Sequence, residues 1–73
     1  MTNENFLDLK QDIIESFIEL NNDYFMDNGE YLWTEDIERL RNTDNIIELA
    51  TILEELEYWD AGDMLRIALL YNN

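Results

Sequence analysis

The chain has 73 residues, of which 18 are acidic and four are basic, so its formal net charge at pH 7 is −14. This length favours one small domain that spans residues 1–73. Apolar residues make up 47% of the chain and aromatic residues 12%, more than a disordered acidic tail carries, so we expect a folded core. A surface this negative repels nucleic acid and anionic membranes, and it attracts basic protein surfaces.

Cysteine and histidine are both absent from the sequence. Their absence removes thiolate chemistry, disulfides, and the commonest general base and metal ligand of proteins. An EF-hand frame that fits Gly29 and Glu35 puts Tyr24 and Met26 at the first two ligand positions, where carboxylates are needed. We therefore expect no enzyme activity, no cofactor and no metal site.

The first predicted element is a long helix from about Glu4 to Met26, because its apolar residues recur at helical spacing. These residues are Phe6, Leu7, Leu9, Ile13, Ile14, Phe17, Ile18, Leu20, Tyr24 and Phe25. The segment Asp27-Asn28-Gly29 ends this helix, since Gly29 can take the left-handed conformation that often follows a helix C-terminus.

Shorter helices are predicted in the rest of the chain. Thr34 caps a short helix that ends at Asn42, Thr43 or Asp44 caps the next helix, and Asp60 caps the last. No segment alternates between apolar and polar residues with a period of two. The sequence therefore predicts an all-α fold, a small three- or four-helix bundle with one long N-terminal amphipathic helix.

Acidic residues recur every three or four positions along the first helix, and we call this set the acidic stripe. Its members are Glu4, Asp8, Asp12, Glu15, Glu19, Asp23 and Asp27. At about 100° per residue they fall within an arc of about 140°, opposite the apolar arc of about 180°. The one cation of this helix, Lys10, projects from the apolar side, so the stripe is not neutralised along its length.

Two interpretations of the acidic stripe compete. A solvated helix face is the ordinary one. However, like charges at i, i+4 destabilise a helix by about 0.2–0.5 kcal/mol per pair, and a face selected only for solubility mixes in lysine. Something other than folding therefore favours the uniform negative charge.

Further acidic residues extend the negative field over the second and third helices. They are Glu35, Asp36, Glu38, Asp44, Glu48, Glu54, Glu55 and Glu57. Asp60 and Asp63 lie at a helix N-terminus, where capping and the helix dipole explain them. We expect Arg39, Arg41 and Arg66 to form internal salt bridges.

The apolar arc of the first helix is wider than the roughly 100° stripe that one packing contact needs. A monomer with every apolar residue packed inside and a homodimer both accommodate it. The aromatic residues are expected to be core or half-buried, with a role as interface anchors as the alternative. These residues are Tyr31, Trp33, Tyr58, Trp59 and Tyr71.

In size, charge, helicity and the stripe from Glu4 to Asp27, the chain resembles the small acidic inhibitors that bacteriophages make against host defence. These are the Ocr-type DNA mimics that block restriction enzymes, and several anti-CRISPR proteins. The resemblance implies a stoichiometric inhibitor, often dimeric, whose carboxylates occupy the basic groove of a CRISPR effector or a restriction enzyme. The N-terminal segment, residues 1–5, is polar and is not a secretory signal, so we expect the cytoplasm of a bacterial host cell.

A different class of function fits the same composition. A small helical adaptor or antitoxin would bind its partner through an apolar or aromatic groove, and its acidity would serve only solubility. Salt separates the two hypotheses, because a charge mimic loses affinity as salt rises and a groove binder does not.

Overall fold

The computed structural model describes the backbone of residues 3–71 and the side chains of residues 5–71. Within this range the chain forms four helices and no strand: α1 (Asn3–Asn28), α2 (Thr34–Arg41), α3 (Ile46–Glu55) and α4 (Ala61–Tyr71). The predicted all-α class and the long N-terminal helix are both confirmed.

The long helix α1 extends two residues beyond its predicted C-terminal end. As predicted, Gly29 ends the helix: it adopts a φ of +77°, and its N–H donates to the carbonyl of Phe25 (2.7 Å). A glycine takes this left-handed conformation without the clash that a Cβ atom would cause. The C-terminal boundary of α1 is therefore set by local backbone chemistry.

The predicted cap of α2 is wrong. Thr34 is the first residue of the helix, and the N-cap position is Trp33, which makes no side-chain capping bond. The Thr34 hydroxyl accepts a hydrogen bond from the buried Asn21 amide (3.2 Å), and the Asn21 oxygen accepts the N–H of Trp33 (2.8 Å). A side chain of α1 thus satisfies the start of α2, which ends at Asn42 as predicted.

The predicted cap of α3 is also wrong, because neither Thr43 nor Asp44 occupies that position. Asn45 is the N-cap, and its side chain accepts the N–H of Glu48 (3.0 Å). Thr43 is buried, and its hydroxyl donates to the Leu40 carbonyl (2.8 Å). Glu48 in turn accepts the N–H of Asp44 (3.2 Å), so this junction is held locally.

The junction between α3 and α4 fixes the direction of the last helix. Glu57 has a φ of 56°, and Tyr58 N–H donates to the Leu53 carbonyl (3.0 Å), which closes the end of α3. Asp60 caps α4 as predicted, since its carboxylate accepts the N–H of Asp63 (3.0 Å).

The core lies along one side of α1. Both α2 and α4 pack against α1, and α3 packs against α2 and α4. The buried apolar residues are Leu9, Ile13, Ile14, Phe17, Ile37, Leu40, Leu49, Ile52, Leu53 and Ile67. The helix α1 is about 39 Å long at 1.5 Å per residue, which accounts for the 42 Å long dimension of the molecule. The shorter helices α2 and α4 pack along its side.

The apolar arc of α1 is only partly buried, and three of the five aromatic residues singled out in the sequence are exposed. Leu7, Leu20 and Phe25 of α1 are exposed, so the core uses only part of the apolar arc. Trp33 and Tyr58 are half-buried, as expected. The expectation is wrong for Tyr31, Trp59 and Tyr71, which are exposed: Tyr31 and Trp59 lie in loops between helices, and Tyr71 is the last residue of α4.

Candidate functional site

The acidic stripe is a continuous solvent-exposed surface along α1. Six of its seven members lie among the described side chains, and all six are exposed: Asp8, Asp12, Glu15, Glu19, Asp23 and Asp27. The side chain of Glu4 lies outside the described residues. At about 1.5 Å per residue, the six carboxylates extend over roughly 28 Å of the helix.

The exposure of the stripe follows from where the other helices pack. On the opposite side of α1, Asn21 contacts Thr34, and the Lys10 ammonium donates to the carbonyls of Arg41 (2.9 Å) and Thr43 (3.0 Å). These contacts hold α2 and the start of the next loop behind α1. The carboxylates of the stripe are consequently left facing solvent.

One arginine reaches the stripe. Arg66 of α4 donates from Nη1 to the Asp12 carboxylate (2.7 Å) and lies 3.8 Å from the Asp63 carboxylate. The hydrogen bond with Asp12 raises the pKa of the Arg66 guanidinium, and the charges of Asp63 and Asp8 add to this effect. The N-terminal half of the stripe is therefore partly neutralised.

The C-terminal half of the stripe keeps its full charge. Among the described side chains, Glu15, Glu19, Asp23 and Asp27 form no ion pair. Glu15 accepts a hydrogen bond from the neutral Gln11 amide (3.2 Å), which leaves its charge in place. Within the described part of the chain, four successive carboxylates on one side of α1 thus face solvent without a cation.

The remaining cations act away from the stripe. Arg39 donates to Glu55 (2.6 Å) and lies 3.5 Å from Asp36, so it links α2 to α3. The hydrogen bond with Glu55 raises the pKa of Arg39. The predicted salt bridges are confirmed for Arg39 and Arg66, but Arg41 forms none with a described side chain.

A surface depression of about 300 Å³ lies at the edge of the stripe. Glu19 and Asp23 line it from α1, and Tyr58 and Asp60 line it from the junction before α4. The helical periodicity of α1 identifies Glu19 and Asp23, but it gives no hint of Asp60. Asp60 is both the cap of α4 and a third carboxylate of this depression, which the sequence analysis missed.

Tyr58 supplies the aromatic wall of this depression. Its hydroxyl donates to the Asp63 carboxylate (2.7 Å), and its ring packs against Phe17 with centroids 5.1 Å apart. Burial raises the pKa of the Tyr58 hydroxyl above its ordinary value of 10.0, and the hydrogen bond to Asp63 raises it further. The phenol therefore stays neutral at physiological pH.

The acidic residues predicted to extend the field lie on other parts of the molecule. Glu35, Asp36 and Glu38 belong to α2, on the far side of α1 from the stripe, and Asp36 and Glu55 are paired with Arg39. Asp44 lies near Lys10 in a second shallow depression. Glu48 supports the start of α3, Glu54 borders a groove between α3 and α4, and Glu57 lies in the turn between these helices.

In the described part of the chain, no three acidic side chains come close enough together to hold a metal ion. None of the described helices has the length and apolar character needed to span a bilayer. The acidic stripe and its depression are accordingly the candidate site.

Comparison of the chain with protein-family models, with curated proteins and with solved structures finds no match to any of them.

Proposed function

We propose that this protein is a stoichiometric inhibitor that imitates the charge of a nucleic acid. Its acidic stripe occupies the basic groove of a nucleic-acid-binding bacterial defence enzyme, a CRISPR effector or a restriction enzyme. The observation that carries the proposal is the run from Glu15 to Asp27, in which four exposed carboxylates have no cation among the described side chains.

The spacing of the charges supports the proposal. Neighbouring carboxylates at i, i+3 or i, i+4 are about 5–6 Å apart on a helix surface. A nucleic-acid strand carries one phosphate per about 3.4 Å of axis, which is a comparable linear density. A basic groove whose cations bind the phosphates of a nucleic-acid strand therefore also has cations placed to bind the carboxylates of α1.

The stripe also works against the stability of its own helix. Each like-charged pair at i, i+4 costs about 0.2–0.5 kcal/mol, and successive members of the stripe form such pairs along α1. Arg66 pairs with Asp12 of the stripe, but Arg39 pairs with Glu55 and the Lys10 ammonium donates to backbone carbonyls, so neither of these two cations neutralises the stripe. A helix is expected to keep such a destabilising line of carboxylates when a binding partner supplies the positive charge that the helix lacks.

The depression beside Glu19 and Asp23 gives the stripe a place for one inserted cation. Glu19, Asp23 and Asp60 are among its lining residues, as is Tyr58. An arginine or lysine side chain of the target would gain ion pairs and an aromatic contact there. The protein would act in the cytoplasm of a bacterial host by blocking, without itself catalysing a reaction or binding nucleic acid.

The test compares two variants with equal net charge. Glu15→Lys/Glu19→Lys/Asp23→Lys reverses the uncompensated part of the stripe and leaves the Asp12–Arg66 pair intact. Glu35→Lys/Glu38→Lys/Asp44→Lys makes the same charge change on the far side. Each protein, immobilised, is exposed to bacterial lysate at about 50 mM and about 200 mM salt, and the retained proteins are identified by mass spectrometry.

We expect the wild type and the far-side variant to retain a nucleic-acid-binding protein at low salt, and the stripe variant to lose it. The purified target should then release labelled DNA or guide RNA when wild type is added. Its affinity for wild type should fall at least about tenfold between the two salt concentrations. Circular dichroism checks that both variants remain helical.

Two outcomes would overturn the proposal. A stripe variant that captures the same target as wild type would show that the carboxylates are only solvated. Capture that persists at high salt and disappears in Trp59→Ala would replace it with the alternative, a helical adaptor or antitoxin that binds through an apolar groove.

A further inference from the structure

The outer face of α4 is apolar and exposed in a chain that is otherwise densely acidic. Its exposed residues include Leu65 (63% exposed), Leu69 (56%) and Ala68. The two charged residues of α4 are turned elsewhere, because Asp63 accepts from Tyr58 and Arg66 donates to Asp12. This face therefore presents a row of apolar side chains to solvent.

The apolar row continues into a groove of about 300 Å³ between α3 and α4. Ala50, Trp59, Ala68 and Tyr71 are among its lining residues, and Trp59 and Tyr71 are 66% and 49% exposed. Among the described residues that line the groove, Glu54 is the one carboxylate. We call the groove and the adjoining outer face of α4 the α3–α4 apolar surface.

We infer that a second copy of this chain covers the α3–α4 apolar surface, in a twofold dimer that pairs the surface with itself. A basic partner is drawn to carboxylates, and this surface has almost none. Two chains of charge −14 repel each other, so contact between them is least costly where neither presents a carboxylate. A twofold interface uses one patch on both subunits, which gives both chains an uncharged surface to share.

The size of the surface agrees with this occupant. Trp59, Leu65, Leu69 and Tyr71, with the small residues between them, expose on the order of 500 Å² of apolar area per copy, against roughly 600–800 Å² per partner in a standard interface. Ala61 and Ala68 allow two α4 helices to approach closely, since helix axes pack about 8–10 Å apart.

The dimer leaves the C-terminal half of the stripe, from Glu15 to Asp27, available. Leu65 and Arg66 are about 100° apart around α4, so Leu65 points away from the Asp12 carboxylate, whereas Leu69 lies beside Asp8 at the N-terminal end of the stripe. The dimer therefore carries two acidic stripes in one particle. Its existence does not depend on the function proposed for either stripe.

The salt dependence of association distinguishes the dimer from a complex between the stripe and a basic protein. The interface is apolar and the two subunits are like-charged, so screening by salt removes repulsion and strengthens association. Sedimentation velocity of the full-length wild type, at about 50 mM and about 500 mM salt, measures the dissociation constant directly. We expect dimers at both concentrations and at least about tenfold tighter association at high salt.

Leu65→Glu/Ala68→Glu tests the location of the interface. Two carboxylates on each copy would face those of the other, and the dissociation constant should rise at least about a hundredfold. Tyr31→Glu/Leu32→Glu is the matched control, because both residues are exposed (53% and 52%) in the loop before α2 and the variant adds the same two charges, so it should dimerise like wild type. Both substitutions are at exposed positions, and circular dichroism confirms that the variants are folded.

Three results would overturn the inference. They are a wild type that is monomeric at every concentration, a dimer unaffected by Leu65→Glu/Ala68→Glu, and a dimer that weakens as salt rises. A monomer whose target capture fails in Leu65→Glu/Ala68→Glu would assign the surface to another protein. The stripe variant Glu15→Lys/Glu19→Lys/Asp23→Lys should still dimerise, so the dimer and the inhibitor proposal can fail separately.

Discussion

The acidic stripe on α1 and the α3–α4 apolar surface are built from helices with opposite arrangements of charge. On α1 the carboxylates point outward, and Lys10 is turned inward to backbone carbonyls. On α4 the two charged side chains, Asp63 and Arg66, are held in contacts with Tyr58 and Asp12, and the outer face is apolar. The stripe side of α1 presents mainly carboxylates, whereas the outer face of α4 presents leucine and alanine side chains.

The acidity of the chain is therefore not spread evenly for solubility. A chain that needed only solubility would place acids on the outer face of α4, where leucines are most exposed. Binding of a basic target by the stripe should weaken as salt rises, whereas dimerisation through the α3–α4 apolar surface should strengthen.

The largest change in stability is expected when three carboxylates of the stripe are replaced by neutral amides. Glu15→Gln/Glu19→Gln/Asp23→Asn removes like-charge repulsion at several successive positions of α1. The free energy of unfolding should rise by about 1 kcal/mol at low salt, since each relieved pair contributes about 0.2–0.5 kcal/mol. Urea denaturation followed by circular dichroism, at low and high salt and at one protein concentration, measures the gain and its loss through screening.

The control for this stability gain is Glu35→Gln/Glu38→Gln/Asp44→Asn, which changes the net charge equally. Glu35 lies in the first turn of α2, where the helix dipole favours a negative charge, so this variant should gain nothing. Equal stabilisation of the two variants would mean that net charge, and not the line of carboxylates, opposes folding.

Much of the fold is predictable from the sequence because its signals are local. The spacing of Leu9, Ile13 and Phe17 predicts a helix and its buried side, and Gly29 and Asp60 mark helix ends through their own backbone and side-chain chemistry. The caps at Thr34 and Thr43 are mispredicted because contacts with Asn21 and Leu40 occupy both hydroxyls. The Asn21 contact joins two helices and is invisible to local sequence rules, whereas the Thr43 bond to Leu40 is a local alternative to capping.

The site is predictable only as far as one helix reaches. Periodicity along α1 is sufficient to identify the stripe, since exposure follows from helix geometry. The depression needs Asp60 beside Glu19 and Asp23, which depends on how α4 is placed. The exposure of Leu20 likewise depends on that placement, because Leu20 lines the same depression.

A smaller effect is expected when the contact between the two regions is cut. Arg66→Met removes the one ion pair between α4 and the stripe while keeping a side chain of similar length. Exposed pairs contribute little, so the free energy of unfolding should fall by about 0.5 kcal/mol. Freed from Arg66, Asp12 adds to the uncompensated charge, and affinity for a basic target should rise a few-fold, measured by fluorescence anisotropy competition.

Arg41→Met is the matched control for this substitution, because Arg41 forms no ion pair with a described side chain. It makes the same change in net charge without touching the contact between α1 and α4. If both variants gain affinity equally, the overall charge governs binding and the local neutralisation of Asp12 is irrelevant.

The smallest effect concerns Tyr58, whose hydroxyl bonds to α4 while its ring lines the depression beside the stripe. Its pKa in the folded chain is raised above 10.0, chiefly by burial and then by the Asp63 hydrogen bond. The unfolded chain therefore releases this proton at a lower pH than the folded chain does. Stability that is fully present below pH 10 must decline as pH rises above 10.0, because the unfolded state then binds fewer protons.

Tyr58→Phe removes this titration, so its melting temperature should fall less steeply above pH 10 than that of wild type, as followed by circular dichroism. Asp63→Asn separates the two causes, since it removes the neighbouring charge but leaves the ring buried. An intermediate slope is expected for Asp63→Asn, because burial is the larger cause. Identical slopes in all three proteins would show that the phenol ionises as freely in the fold as in the unfolded chain, and that the junction between the two regions is open to solvent.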